Sequence, residues 1–576
     1  MKLQDFISKY DTLDSKGLDE YQIATYIWDK DSKGDSYYEG LAFEFGEYPD
    51  GTGWGIFYGY QTSFTLTNGD VYSNINETDI TEDAVHYWHK RITTSVNPLF
   101  KARFSGLVLD FGKKFGIRPD VNLINTFINA LILVIEGSYC SDFGITKKVD
   151  ILIKFASGYT KDISLRTKAA ETILNYLTSY SKVQNIGIWG RVYSSIICSK
   201  LFTETQKDKA TKIAENNFEE IKNKLNNPWL LEDAATMLSD SYGKGDNRIL
   251  PLLKDVEVAF KKVSEGVSGF QAQGWLQLVE RLYRKYGYKD EADRVLAKIA
   301  SLGSKALKGM QVHSQTYKVP KKELDTFVEA LHDKSLPGSA LDNLALFLVP
   351  NEKIAVNYVK EAAKKEPLYY TASQQLIDDK GRPLSVVGAM SNNEEKSDIA
   401  GHVVLAISRN LQFQAVLLRY SLSVLKKEGA FNIFTVEKEY KSCPIFDRKR
   451  YEAIDYAITQ YFIGNHLVFA HLMIPQIENA LRDMLEMTGV SSLKPQQGGK
   501  GNTLKTLDAV LREPVLDQVM GHDSVNYLRI LLTDQRGWNL RNRICHGMMP
   551  IDGFNYTTSD RIMHAFLLLC QVRQKE

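Results

Sequence analysis

The chain has 576 residues and a mass of 65.3 kDa, too long for a single core, so two to four domains are expected. Hydrophobic residues make up 44% and charged residues 24%, the composition of an ordinary globular protein rather than of a disordered or fibrous one. The 71 Lys and Arg almost cancel the 70 Asp and Glu, which excludes nucleic-acid binding through bulk charge and confines any RNA site to a local patch.

The first stretch, residues 1–118, reads as a mixed α/β domain. It opens MKLQDFISKYD, whose acidic residues stand where a signal peptide needs an apolar run. Lys16 to Ile27 suggests a short helix. The segment GWGIFYGYQTSFTLTNGDVYSNI is rich in aromatic and β-branched residues and reads as strands, with Asn68-Gly69 as a tight hairpin turn. A helix starts at Thr81-Glu82-Asp83 and carries Trp88 and Arg91. Another follows at PLFKARFSGLVLDFGKKFG, with Pro98 in its first turn.

Residues 119–345 read as helix after helix, with apolar residues at spacings of three and four in LINTFINALILVI, VDILIKFA, AAETILNYLTSY and IGIWGRVYSSIICSKLF. The most apolar stretch, Leu123 to Ile135, is interrupted by Asn125 and Asn129 and is too short to cross a bilayer. The segment WLQLVERLYRKYGYKDEADRVLAKIA reads as a helical hairpin. Its Trp275, Leu276, Tyr286, Gly287 and Ala292 resemble one tetratricopeptide unit, without a clean 34-residue repeat around it. An irregular solenoid or bundle is expected here.

Residues 346–576 form the third expected domain. Helical periodicity breaks between 366 and 390, where YYTASQQLIDDKGRPLSVVGAM predicts a hairpin turning at Asp379-Lys380-Gly381. Helices resume near Asp398. AIDYAITQYFIGNHLVFAHLMIPQIENALRDMLEMTG predicts two antiparallel helices joined at Gly464-Asn465, and VSSLKPQQGGKGNT predicts a loop. The closing helices are TLKTLDAVL, SVNYLRILLT, NLRNRICHG and SDRIMHAFLLLCQV. The predicted fold class is thus mainly α: a helical solenoid and bundle with small hairpins near the N-terminus and around 370–390.

Cys140, Cys198, Cys443, Cys545 and Cys570 are far apart, odd in number and never in a CxxC pair. That pattern points to reduced thiols in a cytoplasmic protein, without a disulfide frame or a zinc site. GGKGN at 498–502 lacks the Walker spacing and is read as a loop. His86 with His89, and His466 with His471, are read as structural. No cofactor or metal is expected.

Chemistry concentrates in DQRGWNLRNRICHGMMP. Gly537 and Asn539 suggest that a helix begins just before the motif; Gly547 and Pro550 suggest that it ends just after His546. On a helix Asn542 and His546 share a face, and Arg541 lies about 140° round the axis from His546. The trio suits RNA cleavage. Cleavage by 2′-OH attack takes a proton from the 2′-oxygen and gives one to the 5′-oxygen, and a histidine titrates in the range to do either. An arginine neutralises charge on the phosphoryl oxygens. The asparagine holds the phosphate or orients the imidazole. The expected products are a 2′,3′-cyclic phosphate and a 5′-hydroxyl. One such histidine per chain leaves the acid–base pair incomplete, so a two-fold homodimer with a composite site is expected. The competing reading makes the motif a helix terminus, with Asn542 capping and Arg541 in an ion pair.

Arg541-Asn542-x3-His546 followed by Gly547 resembles the signature of the HEPN superfamily. HLMIPQIENALRDML, the Gly-rich loop and LLTDQRGWNLRNRICHG are similar to the C-terminal domain of the endoplasmic reticulum membrane-associated RNA degradation protein family and its bacterial relatives. ITEDAVHYWHKR and NPLFKARFSGLVLDF resemble the N-terminal domain of those relatives more loosely. The resemblance implies a dimeric, all-helical, metal-independent endoribonuclease with Arg541, Asn542 and His546 as its catalytic residues. It implies RNA as substrate, a setting in bacterial antiviral defence or as a toxin, and an inhibitory or triggering partner; the membrane span that the family's name suggests is not visible in this sequence, and no membrane association is expected. Glu478 and Arg482, one turn apart on IPQIENALRDML, are expected to face the same cleft, binding RNA or positioning the motif; a plain i,i+4 ion pair is the alternative. The alternative for the whole chain is a non-catalytic helical scaffold that dimerises or binds RNA.

Overall fold

The computed structural model describes residues 2–27, 34–60, 63–65, 71–311, 318–391, 397–496, 499 and 501–573. It is mainly helical, with four two-stranded antiparallel hairpins among the described residues. The chain divides into two compact units, Met1–Ala306 and Leu307–Glu576.

In the first unit one continuous apolar core runs from Phe6 to Ile299, so the mixed N-terminal segment and the helices that follow share an interior. The short helix expected from Lys16 begins at Glu20, because Gly17 and Leu18 donate instead to the carbonyls of Ser138 and Tyr139. Tyr58–Tyr60 is a strand as expected, but its partner is Phe45–Glu47, a segment too short to announce itself. Ser63–Thr65 pairs with Val71–Ser73; the Asn68-Gly69 turn lies outside the described residues. Helices Leu3–Tyr10 and Asp35–Phe43 were not expected.

The helix Glu82–Thr94 is capped by Thr81, whose hydroxyl accepts from the Ala84 N–H, and Pro98–Phe111 starts on its proline behind an Asn97 cap. Arg91 is buried and held by Glu39 at 2.8 Å and Asp11 at 2.9 Å. Arg103 and Lys148 are buried against Glu20 and Glu47. Each cation has at least one carboxylate within hydrogen-bond reach, the condition for tolerating charge in an apolar interior. Further along, Pro228–Tyr242, Ile249–Ser264, Gly269–Lys285 and Lys289–Ser301 each pack on the next, which is the solenoid-like order. Gly287, at φ 89°, turns the last pair.

The second unit surrounds the helix Tyr556–Leu569, which is buried on every side from Thr558 onward. The helices Ala340–Phe347, Ile399–Lys427 and His466–Met487 pack on it. Tyr451–Phe462 and His466–Met487 form the expected helical pair, with Gly464 at φ 81° in the joint. The hairpin near 380 is present as Gln374–Ile377 paired with Pro383–Val387. Asp378 closes its turn by accepting from the N–H groups of Lys380 and Arg382. The stretch read as a loop at 490–503 contains a second hairpin, Leu493–Pro495 with Asn502–Leu504, and the helix expected from Thr503 starts only at Leu507, behind a Thr506 cap. All six of its strand residues are exposed, so no buried–exposed alternation marked it in the sequence. No described helix is long and apolar enough to cross a membrane.

Candidate functional site

The motif occupies a six-residue helix, Leu540–Cys545. Leu540 and Ile544, four residues apart, are buried and seat it against His466–Met487 and His522–Leu532. Its start is fixed by the preceding loop. Asp534 is buried and accepts from Arg529 at 2.8 Å and Arg536 at 2.9 Å, while Gly537 lies so close to Ile530 that a Cβ would sit 2.3 Å from the Ile530 carbonyl oxygen. Trp538 donates its indole N–H to the Ser408 carbonyl. Asn539 then takes a left-handed conformation, φ 52°, which asparagine tolerates better than most residues. The other end closes on Gly547, φ 64°, with the Met548 N–H donating to the Arg543 carbonyl at 2.8 Å.

Four of the five expected site residues form one hydrogen-bonded chain. Arg541 Nε donates to Glu478 Oε2 at 2.8 Å, and Arg482 Nη2 donates to Glu478 Oε1 at 2.6 Å. Arg541 Nη1 donates to Asn542 Oδ1 at 3.1 Å, and Asn542 Nδ2 donates to Asn539 Oδ1 at 2.7 Å. Arg482 also donates to the Lys505 carbonyl, anchoring the far end. One carboxylate between two guanidinium groups leaves the cluster with a surplus positive charge. Burial alone would raise the Glu478 carboxyl, but the hydrogen bonds and charges of Arg541 and Arg482 outweigh it and hold it below the ordinary glutamate range.

His546 stands apart from this chain. It follows the last helical residue, its backbone N–H donates to the Asn542 carbonyl at 3.1 Å, and its imidazole is exposed, with no hydrogen bond to any described residue. Cys545 is exposed, but partial desolvation pushes its thiol up, with Arg541 opposing and Glu478 reinforcing the shift, so it is no activated nucleophile. Arg543, on the same short helix, lies 3.6 Å from Asp379 of the hairpin near 380. Among the described residues no group of three His, Cys, Asp or Glu is placed to hold a metal ion.

The sequence did not reveal Asn539 as the partner of Asn542, or Trp538 and Asp534 as the loop's fixings. The signal for the first was the asparagine itself, ahead of a helix start and able to adopt positive φ. The ion pair of Glu478 with Arg482 was expected as one of two alternatives; the additional link to Arg541 depends on how two helices meet and has no local signal.

His466 and His471 are engaged locally, His466 with Ser559 Oγ at 2.9 Å and His471 with the Leu467 carbonyl at 2.9 Å. A scan of protein-family models finds none that matches the chain, and a search of curated proteins finds no match either.

Proposed function

We propose that the second unit is a metal-independent endoribonuclease of the HEPN type, acting at Arg541, Asn542 and His546 as a homodimer. The observation that carries the reading is the pairing, on one six-residue helix, of a positioned guanidinium with an exposed imidazole at the helix end. Glu478 and Arg482 are its positioning residues. They hold Arg541 from behind, and Asn542 ties it to the helix start, so little side-chain entropy remains to be lost when a phosphate arrives.

In the proposed reaction His546 accepts the 2′-hydroxyl proton, the 2′-oxygen attacks the adjacent phosphorus, and the P–O5′ bond breaks. Arg541 neutralises the charge that grows on the non-bridging oxygens. The 5′-oxygen takes a proton from the second His546 of a two-fold dimer. The products are a 2′,3′-cyclic phosphate and a 5′-hydroxyl. The surplus charge of the Arg482–Glu478–Arg541 cluster supplies locally what the neutral chain lacks in bulk. Antiviral defence or a toxin role, with an inhibitory or triggering partner, is the setting this chemistry fits.

The second reading is a non-catalytic scaffold that dimerises or binds RNA. It is favoured by the engagement of Arg541 with Glu478 and of Asn542 with Asn539, contacts that by themselves serve to anchor a short helix. Incubating the full chain and its His546→Ala variant with total RNA in EDTA separates the two. Cleavage by the parent alone supports the nuclease; intact RNA with both, across several RNAs, leaves the scaffold.

A further inference from the structure

The motif helix Leu540–Cys545 carries a second guanidinium, Arg543, to which the proposed reaction gives no task. Arg543 and His546 are three residues apart. The His546 N–H donates to the Asn542 carbonyl, so His546 keeps the helical spacing, and the two side chains start about 60° apart round the axis. Arg541 starts about 140° from His546 on the same measure, so on this helix Arg543 is the closer in angle to the imidazole. The turn that carries His546 also closes on Arg543, whose carbonyl accepts from the N–H groups of Met548 and Met549 at 2.8 and 3.0 Å. One fixed stretch of backbone thus sets both the imidazole and this guanidinium.

A carboxylate faces Arg543 from another element. Asp379 Oδ2 lies 3.6 Å from Arg543 Nη2, an ion pair beyond hydrogen-bond length. The hairpin Gln374–Ile377 with Pro383–Val387 presents Asp379 on a braced turn. Asp378 spends its carboxylate inside that turn, accepting from the Lys380 and Arg382 N–H groups at 2.9 and 2.8 Å and from Arg382 Nε at 2.6 Å. Gly381 closes the turn at φ 72°. Asp379 is 64% exposed and Arg543 37%, so solvent screens the pair and it adds little to stability. A phosphate is the stronger ligand for this guanidinium, because it accepts two parallel N–H bonds where Asp379 makes none.

We infer that Arg543 binds a backbone phosphate of the RNA beside the scissile one, and that Asp379 competes with that phosphate for the guanidinium. The hairpin at 374–387 is then a brake on substrate binding. The inference rests on the ribonuclease reading for its substrate, and Arg543 takes no part in the proton transfers. It also adds a local cation where the chain as a whole is near neutral.

The test uses the full chain carrying His546→Ala, in EDTA, with a labelled single-stranded oligoribonucleotide titrated at several salt concentrations between about 50 and 200 mM. Arg543→Gln should weaken binding about tenfold and make the slope of log affinity against log salt shallower by about 0.7, the value for one phosphate contact on a single strand. Arg543→Lys should keep the slope and recover part of the affinity, since it keeps the charge and loses the fork. Asp379→Asn should tighten binding about threefold, roughly the worth of one screened surface pair, and most of that gain should vanish when Arg543→Gln is also present. In the parent background Arg543→Gln should raise KM and leave kcat nearly unchanged, a split that a merely structural role would not give. Unchanged affinity and salt slope in Arg543→Gln overturn the inference, as do weaker binding by Asp379→Asn and absence of RNA binding altogether. Asp379→Asn changes an exposed turn residue, so it tests the contact even where Arg543→Gln fails to fold. RNA cut equally well by the parent and by Arg543→Gln removes this role and leaves the nuclease standing. RNA bound through Arg543 and left uncut by the parent counts against the nuclease and not against this contact.

Discussion

Replacing Glu478 by glutamine takes away the carboxylate that lies between Arg541 and Arg482. In the parent it accepts short charge-assisted hydrogen bonds from both, at 2.8 and 2.6 Å. Glutamine keeps one acceptor oxygen, so one of these bonds survives in weakened form, and two guanidinium groups are left facing each other. A hydrogen bond to a charged group contributes about 1.5–3 kcal/mol. The three side chains are 13–26% exposed, so solvent screens part of the charge and the lower part of that range applies. The expected loss is about 2 kcal/mol, a fall in Tm of roughly 4–8 °C for a unit of this size. The assay is thermal unfolding of the full chain and of Glu478→Gln, Arg541→Gln and the double variant. The cycle should return a coupling of about 1 kcal/mol or more between the two positions. The sign with pH follows from the depressed carboxyl. Its stabilisation is present above the ordinary glutamate value of 4.5 and is lost as pH falls through the lower folded value. The gap between parent and Glu478→Gln should therefore narrow on acidification below pH 4.5. A loss under about 0.5 kcal/mol, a coupling near zero, or a gap that widens in acid would refute the assignment of Glu478 as the residue holding Arg541.

Other outcomes follow from the same geometry. Gly537→Ala should destabilise the second unit by about 1–3 kcal/mol in urea unfolding, because its Cβ would meet the Ile530 carbonyl oxygen at 2.3 Å. Asn539→Ala should cost more than Asn539→Gly, since both lose the bond to Asn542 but only alanine carries the left-handed penalty of about 1–2 kcal/mol; equal losses would remove φ from the explanation. In the first unit, Glu39→Ala should cost about 3–5 kcal/mol, leaving the Arg91 guanidinium short of a buried partner; a change below about 1 kcal/mol in unfolding would contradict that. Cys545→Ser should leave any RNA cleavage intact in the gel assay, because the thiol is held protonated and unactivated.

Where the sequence was legible, a local rule was at work. The 3.6-residue period marked the long helices. Thr81, Pro98 and Asn465 marked their starts, and Gly464 and Gly547 marked joints that do take positive φ. The hairpin at 374–387 was readable because Asp378 and Gly381 supply the turn chemistry between two β-leaning runs. The hairpin at 493–504 was not, because all six of its strand residues are exposed and no buried face imposes an alternation. Phe45–Glu47 and the delayed start at Glu20 were hidden because distant backbone partners, Tyr58–Tyr60 and Ser138–Tyr139, decide them. The candidate site divides in the same way. The extent of the motif helix was written in Asn539 and Gly547, and the Glu478–Arg482 pair in its i,i+4 spacing. The bond from Arg541 to Glu478 spans 63 positions and belongs to packing alone. The chain is near neutral as a whole, and the surplus positive charge at the motif is local to a cluster of three side chains that only packing brings together.

The proposed reaction assigns RNA cleavage to His546 and Arg541. The most direct measurement is the fate of a 5′-labelled RNA incubated in EDTA with the full chain, with His546→Ala and with Arg541→Ala, the fragment ends being analysed for their phosphate form. His546 is exposed and makes no side-chain hydrogen bond to a described residue, so its alanine variant should unfold at the parent's temperature, and loss of activity cannot be loss of fold. Fragments ending in 2′,3′-cyclic phosphate are expected from the parent and none above background from either variant. Intact RNA with the parent, or the same fragments from His546→Ala, would contradict that assignment.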